Sequence, residues 1–163
     1  MVNVLVTGAG GFLGSRLARG LLAAGSVSVA GRQRHPLDRL TLIDRVPIPP
    51  DLAADGRVTA IQGDLADLPG PGEAGPGPLE GADVIAHLAA AVSAECEADF
   101  DLGIRANLRA TEALLAAARA LGTAPVVVFA SSLAVFGDSR DHPLPAALDD
   151  QTLPNPQASY GAP

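Results

Sequence analysis

Lysine is missing from this chain: all eleven basic residues are arginine, and eighteen acidic residues leave a formal charge of -7. So acidic a chain argues against a surface for nucleic acid or an anionic membrane, and its expected partners are small molecules. Cys96 stands alone, which excludes a disulfide framework. His35, His87 and His142 are scattered singly, so no metal-ligand cluster is expected. The lone cysteine fits a reducing cytoplasm, and the opening apolar run, preceded by no charged leader, is far too short to span a bilayer. What remains is 163 residues of 48% apolar content, enough for one folded domain with a substantial core.

The most informative segment comes first. A near-continuous apolar strand, Val2 to Val6, runs into Thr7-Gly8-Ala9-Gly10-Gly11-Phe12-Leu13-Gly14 and then into a helical stretch, Ser15 to Ala24. Strand, glycine turn and helix in this order make a dinucleotide phosphate site, because glycine lets the backbone approach a pyrophosphate and the helix start offers free amides. The glycines fall at 8, 11 and 14, and Leu13 takes the last glycine position of a strict G-x-G-x-x-G. Phosphate is expected over Gly8 to Phe12. An ordinary tight strand-to-helix turn is the plain alternative.

The first helix carries Phe12, Leu13, Leu17, Leu21 and Leu22 on one apolar face and ends at Gly25. Ser26 to Asp38 reads as a polar insertion before a second parallel strand, Leu40 to Ile43, closing on Asp44. A third strand, Val58 to Gln62, leads to Gly63-Asp64-Leu65. The proline- and glycine-rich stretch from Leu68 to Gly81 is expected to be coil. A fourth strand, Asp83 to Leu88, ends in Ala89-Ala90-Ala91, whose small side chains leave room beside a ligand. After an acidic stretch, Glu95 to Asp101, a long helix is expected with Ile104, Leu108, Thr111, Leu115 and Ala118 on one face and Leu114 and Leu121 on the other. A fifth strand, Val126 to Ala130, ends at Ser131-Ser132, and Gly137 to Ser159 has the composition of a surface loop. Alternating elements of this kind predict an α/β fold, a Rossmann-type doubly wound parallel sheet with helices on both faces.

In such a sheet the ligand lies at the carboxyl ends of the strands, where Asp44, Asp64, Ser131 and Ser132 are placed. Asp44 is the candidate for the adenosine ribose hydroxyls, which points to NAD, although it lies beyond the typical spacing of about twenty residues and neighbouring Arg45 leaves NADP open. Asp38 has the better spacing but precedes the strand. Asp64 with Leu65 could hold the adenine edge; a turn or helix-cap aspartate is the alternative. Ser132 could donate to a substrate oxygen or simply close the strand end. His87, inside an apolar strand, reads as a satisfied core histidine. Taken alone, Tyr160 would be a surface tyrosine, because a phenol needs a neighbouring cation to act as a base and the chain has no lysine.

Together these segments resemble a family. Thr7-Gly8-x-x-Gly11-Phe12-Leu13-Gly14, Gly63-Asp64-Leu65, His87-Leu88-Ala89-Ala90, Asn107-Leu108-x-x-Thr111, Ser131-Ser132-x-x-Val135-Phe136-Gly137 and Ser159-Tyr160-Gly161 occur in the order seen in extended short-chain dehydrogenases/reductases, the NAD-dependent epimerase/dehydratase group. Val92-Ser93 through Gly103, with Phe129 to Gly137, is similar to the subgroup that oxidises D-erythronate. The resemblance implies NAD held by Gly8, Gly11, Phe12, Leu13, Gly14, Asp44, Asp64, Leu65, Leu88, Ala89, Ala90 and Ser131. It implies Tyr160 as general base, Ser132 as the group orienting the substrate hydroxyl, Asn107 as support from the long helix, and Ser93 on the substrate side. The implied reaction converts a secondary hydroxyl of a small sugar acid to a 2-oxo acid. The family's Tyr-x-x-x-Lys would place its lysine at position 164, after Pro163, so the expectation is the amino-terminal, cofactor-binding part of a longer enzyme, with little turnover alone and without the carboxyl-terminal substrate lobe. A homodimer is expected of the full-length enzyme. A nucleotide-sugar epimerase or dehydratase, and a non-catalytic NAD-binding module, are the alternatives.

Overall fold

A parallel strand covered on both faces calls for a near-continuous apolar run, and Val2 to Val6, interrupted only by Asn3, supplies one. In the computed structural model, which describes residues 1–31, 33–67 and 77–163, this run is β1 (Val2–Thr7), followed by α1 (Phe12–Ala24), β2 (Ser26–Ser28) and β3 (Arg34–Asp44). Then come α2 (Pro50–Ala53), β4 (Val58–Gln62), a 3-10 turn (Leu65–Asp67), β5 (Val84–His87), α3 (Ser93–Ala98) and α4 (Phe100–Gly103). A π turn (Ile104–Arg109) leads into α5 (Ala110–Ala120), and β6 (Val126–Phe129) and a second 3-10 turn (Leu133–Val135) complete the elements. These residues form two compact units, Met1–Ala89 with Ala110–Ala130, and Ala90–Arg109 with Ser131–Pro163.

The first unit holds the sheet. Its order is β2-β3-β1-β5-β6, with β4 on β3, and every pairing is parallel except that of β2 with β3. Successive β1 side chains point to opposite faces. Val4 and Val6 join Leu40, Leu42, Ala18 of α1 and Leu52 of α2 in one cluster, whereas Leu5 joins Ile43, Ile85 and Leu114 and Ala118 of α5 in another. Helices thus cover both faces of a Rossmann-like α/β sheet. At the amino ends of the strands, Asn3 N–H donates to Asp83 Oδ2 at 2.8 Å, and Asn3 Nδ2 donates to Gly81 O at 2.9 Å.

Three expectations are corrected. Ser26 to Asp38 is not a simple polar insertion: β2 pairs antiparallel with the start of β3, Ser26 opposite Pro36 and Ser28 opposite Arg34, so β3 begins at Arg34 and not at Leu40. Backbone pairing needs no apolar side chain, and Ala30 and Gly31, at φ 51 and 72, provide the reversal. Helix α1 begins at Phe12, where Phe12 and Leu13 are 75% and 62% exposed; its covered side is Gly14, Ser15 and Ala18, with Leu17, Leu21 and Leu22 packed partly against the core. On α5 the buried side chains are Ala110, Leu114 and Ala118, while Leu108 and Leu115 are exposed. The π turn has a wider repeat than an α-helix, so one 3.6-residue phase cannot be carried from Ile104 through Ala118. The acidic stretch before it is helical, as α3 and α4. Of the stretch from Leu68 to Gly81, residues 68–76 lie outside the described residues.

The second unit contains α3, α4, the π turn and the segment from Ser131 to Pro163. Its anchor is Cys96, which is buried with Sγ 3.5 Å from Ala91 O and backs onto Gly103.

Candidate functional site

The glycine turn is built by close approach of β1 and β5. Gly8 has φ +69, and a Cβ there would lie 2.7 Å from Ala89 N and from the Leu88 carbonyl, so the position excludes any side chain twice over. A Cβ on Gly14 would strike the Gly8 carbonyl and lie 2.7 Å from the Ala9 Cα. These two glycines bring the start of α1 down onto the end of β1, as the G-x-x-G-x-x-G spacing predicts.

What the turn offers is a row of donors. The hydrogen-bond ladder of α1 opens with Ser15 N–H donating to Gly11 O at 3.0 Å, so the amides of Phe12, Leu13 and Gly14 precede it. No side chain caps this helix and no acid stands in its first turn. Gly11, Phe12 and Leu13 are exposed. An uncapped thirteen-residue helix with its positive dipole end open above a glycine turn fits a diphosphate.

Asp44, at the carboxyl end of β3, is bonded into that turn. Its Oδ2 accepts from Gly10 N–H at 2.8 Å and its Oδ1 accepts from Val46 N–H at 3.1 Å. Gly10, absent from the three-residue spacing, is therefore a candidate site residue that sequence reasoning did not name; the signal was a fourth glycine inside the turn. Each Asp44 oxygen keeps acceptor capacity for a ribose hydroxyl. Asp64 stands directly before the 3-10 turn, whose Asp67 N–H donates to Asp64 O at 3.1 Å, and Leu65 packs against the Leu5, Ile43, Ile85 and Leu114 cluster. Leu65 therefore contributes to the core.

His87 closes β5 in the interior, 2% exposed. Its Nδ1 lies 2.7 Å from Thr7 Oγ1 and its Nε2 lies 2.9 Å from Thr111 Oγ1. Both ring nitrogens are occupied, as expected of a core histidine, and burial lowers its pKa. Thr7 Oγ1 in turn accepts from Leu88 N–H and Ala89 N–H, both at 3.2 Å, which fixes the peptides lying against Gly8.

In the second unit the π turn presents Asn107 to Ala91. Asn107 Oδ1 accepts from Ala91 N–H at 2.7 Å and Nδ2 donates to Ala91 O at 3.1 Å, so one amide side chain holds both polar groups of one residue. Asn107 supports the Ala90–Val92 backbone; Ser93 is exposed at the first position of α3. Ser131 is exposed, and Ser132 Oγ accepts from Ala134 N–H at 3.2 Å, which caps the 3-10 turn and leaves the hydroxyl proton for another acceptor.

Tyr160 lies in a turn closed by Gly161 N–H to Ala158 O at 3.1 Å. Gly161 packs directly on the Ala134 carbonyl, two residues from Ser132, so the structure brings the Ser132 and Tyr160 segments together. On the other side, Ser159 N–H and Oγ both meet Glu97 Oε1, at 3.2 and 2.6 Å. Sequence reasoning did not single out Glu97. Among the described residues no helix is long and apolar enough to cross a membrane.

Residues 4–163 match the NAD dependent epimerase/dehydratase family. The chain is 46% identical over 165 residues to a D-erythronate dehydrogenase of Cupriavidus necator, covering 98% of this chain and 46% of that protein. It is 39% identical over 161 residues to a D-erythronate dehydrogenase of Haemophilus influenzae, with coverage of 98% and 46%. Among solved structures, the nucleoside-diphosphate-sugar epimerase from Agrobacterium tumefaciens superposes with a TM-score of 0.76 at 37% identity, covering 98% of this chain and 44% of that one. The chain thus spans about half the length of the curated relatives it matches.

Proposed function

Because this chain belongs to the NAD dependent epimerase/dehydratase family, we propose that it binds NAD and serves a dehydrogenase that oxidises a small sugar acid of the D-erythronate kind at a secondary hydroxyl, giving the 2-oxo acid. The observation that carries this reading is the extent of the family match, which takes in the Gly8–Gly14 turn, Ser132 and Tyr160 alike.

The residues present fit the cofactor. The amides of Phe12, Leu13 and Gly14 would hold its diphosphate, and Asp44 would accept from the adenosine ribose, a carboxylate that disfavours the extra phosphate of NADP. When bound, NAD supplies the acceptor for the hydride leaving the carbinol carbon. Tyr160 takes the hydroxyl proton as that C–H bond breaks and the carbonyl forms, and Ser132, its oxygen held by Ala134, donates its own proton to the substrate oxygen. Phenolate formation needs a nearby cation, which no lysine within residues 1–163 supplies. Asn107 keeps the Ala91 backbone in place without touching substrate. Two copies pairing as a homodimer belong to the same reading, and light scattering reports it.

The test has two parts. Calorimetry of residues 1–163 is expected to show NAD binding, and NAD reduction by the protein its reading frame encodes is expected with D-erythronate and not with UDP-sugars. Turnover of UDP-sugars alone would replace this reading with the epimerase or dehydratase one, and no NAD binding would end it.

A further inference from the structure

We propose that Glu97 is a positioning residue for Tyr160: from the exposed side of α3 its carboxylate holds the turn that carries the phenol. This rests on the reading of Tyr160 as the proton acceptor. Glu97 Oε1 accepts two hydrogen bonds from one residue, Ser159 N–H at 3.2 Å and Ser159 Oγ at 2.6 Å, immediately before Tyr160 in the chain. The hydroxyl bond is short, as expected of a charged acceptor.

A surface hydrogen bond fixes its partner only if its own backbone is fixed, and the backbone that carries Glu97 is. It follows Cys96, whose thiol is buried against Ala91 O and lies 3.6 Å from Asn107 Nδ2. At the amino end of the same helix, Val92 N–H donates to Glu95 Oε2 at 2.9 Å. The mount for Glu97 is therefore the same backbone that Asn107 clasps. Immediately after Tyr160 in the chain, Gly161 rests on Ala134, whose N–H is bonded to Ser132 Oγ. Tyr160 is thus bracketed by two fixed neighbours, one tied to α3 through Glu97 and the other to the turn that Ser132 caps. Gly161 secures the turn on its carboxyl side, and Glu97 supplies a carboxylate to it on the amino side. Glu97 acts through Ser159, not on the reacting atoms.

Tyr160 is the only tyrosine in a chain without tryptophan, so its fluorescence reports this turn directly and needs no turnover. Acrylamide quenching is to be compared for the unmodified chain, Glu97→Gln, Glu97→Ala, Ser159→Ala and the Glu97→Ala/Ser159→Ala pair, with circular dichroism confirming that each is folded. Glu97→Ala removes both hydrogen bonds to Ser159 and is expected to raise the quenching constant at least about threefold. Glu97→Gln, which keeps an acceptor oxygen, is expected to stay near the unmodified chain. Ser159→Ala is expected in between, and the double variant should match Glu97→Ala, since the two side chains act as one contact. Unchanged quenching in Glu97→Ala, or additive effects in the double variant, overturns the proposal. If Glu97→Ala does not fold, Ser159→Ala decides alone, and unchanged quenching there is equally fatal. Failure of the dehydrogenase reading would show as absent NAD binding by residues 1–163 with these fluorescence differences intact.

Discussion

The hydroxyl of Thr7 donates to His87 Nδ1 across 2.7 Å, and its other partners fix that direction. Thr7 Oγ1 already accepts from Leu88 N–H and Ala89 N–H, and a hydroxyl has one proton and two acceptor positions. The imidazole is therefore neutral, with its hydrogen on Nε2 donated to Thr111 Oγ1. A histidine in this state cannot take a second proton without breaking the bond that orients Thr7.

Acid stability follows from this. Burial holds the His87 pKa below its ordinary 6.5. As pH falls below that value the unfolded chain takes the proton and the folded chain does not, so stability declines until the folded pKa is reached and then levels. His87→Gln is expected to flatten this part of the profile, read from urea melts at stepped pH. Nitrogen chemical shifts of the imidazole should report the Nε2–H tautomer, and the Nδ1–H form would refute the assignment.

The approach of Gly14 to the Gly8 carbonyl gives a second expectation. Gly14→Ala forces a methyl into backbone, not into a flexible side chain, and is expected to cost about 3 kcal/mol of stability and to abolish NAD binding. Thermal melting and calorimetry measure the two effects separately.

Asp44→Asn keeps one carbonyl oxygen for the two amides that the carboxylate now receives. One of Gly10 N–H and Val46 N–H then loses its partner, and the charged acceptor for the ribose is gone. NAD affinity is expected to fall about tenfold, by calorimetry.

Asn107→Asp separates the two halves of the Ala91 clasp. A carboxylate can accept from Ala91 N–H but cannot donate to Ala91 O, and it sets a negative charge against that oxygen. A loss of about 2 kcal/mol is expected at neutral pH. Protonation of the new carboxyl restores a donor, so the deficit relative to the unmodified chain should shrink as pH falls. A deficit independent of pH would mean that Asn107 serves only to fill space.

Much of the first unit was legible in the residues because most of its strands are rich in apolar and β-branched residues and its turn needs glycine for steric reasons. Val2–Thr7, Val58–Gln62, Val84–His87 and Val126–Phe129 lie within a residue or two of their expected places. The β2–β3 pairing was not legible, since Arg34, His35 and Pro36 carry no apolar pattern and are joined to β2 through the backbone. The covered side of α5 was misread because a π turn leaves no mark in composition. Of the candidate site, glycine positions and strand-end residues could be named, but the two amides on Asp44 and the Ser159 contact of Glu97 are tertiary facts. A carboxylate thirty-four residues from Gly10, or sixty-two from Ser159, announces its partner only once the chain is folded.

The staple between Asn3 and Asp83 carries a kinetic consequence. Its two residues are eighty positions apart, and closing so long a loop has an entropy cost that must be met before the contact contributes anything. Such a bond is expected to form late in assembly. Asp83→Ala is therefore expected to leave the refolding rate nearly unchanged and to speed unfolding, which the two arms of a denaturant rate profile would separate. Asp83 then works as a latch: it does little to bring the sheet together, and much to decide how long it stays closed.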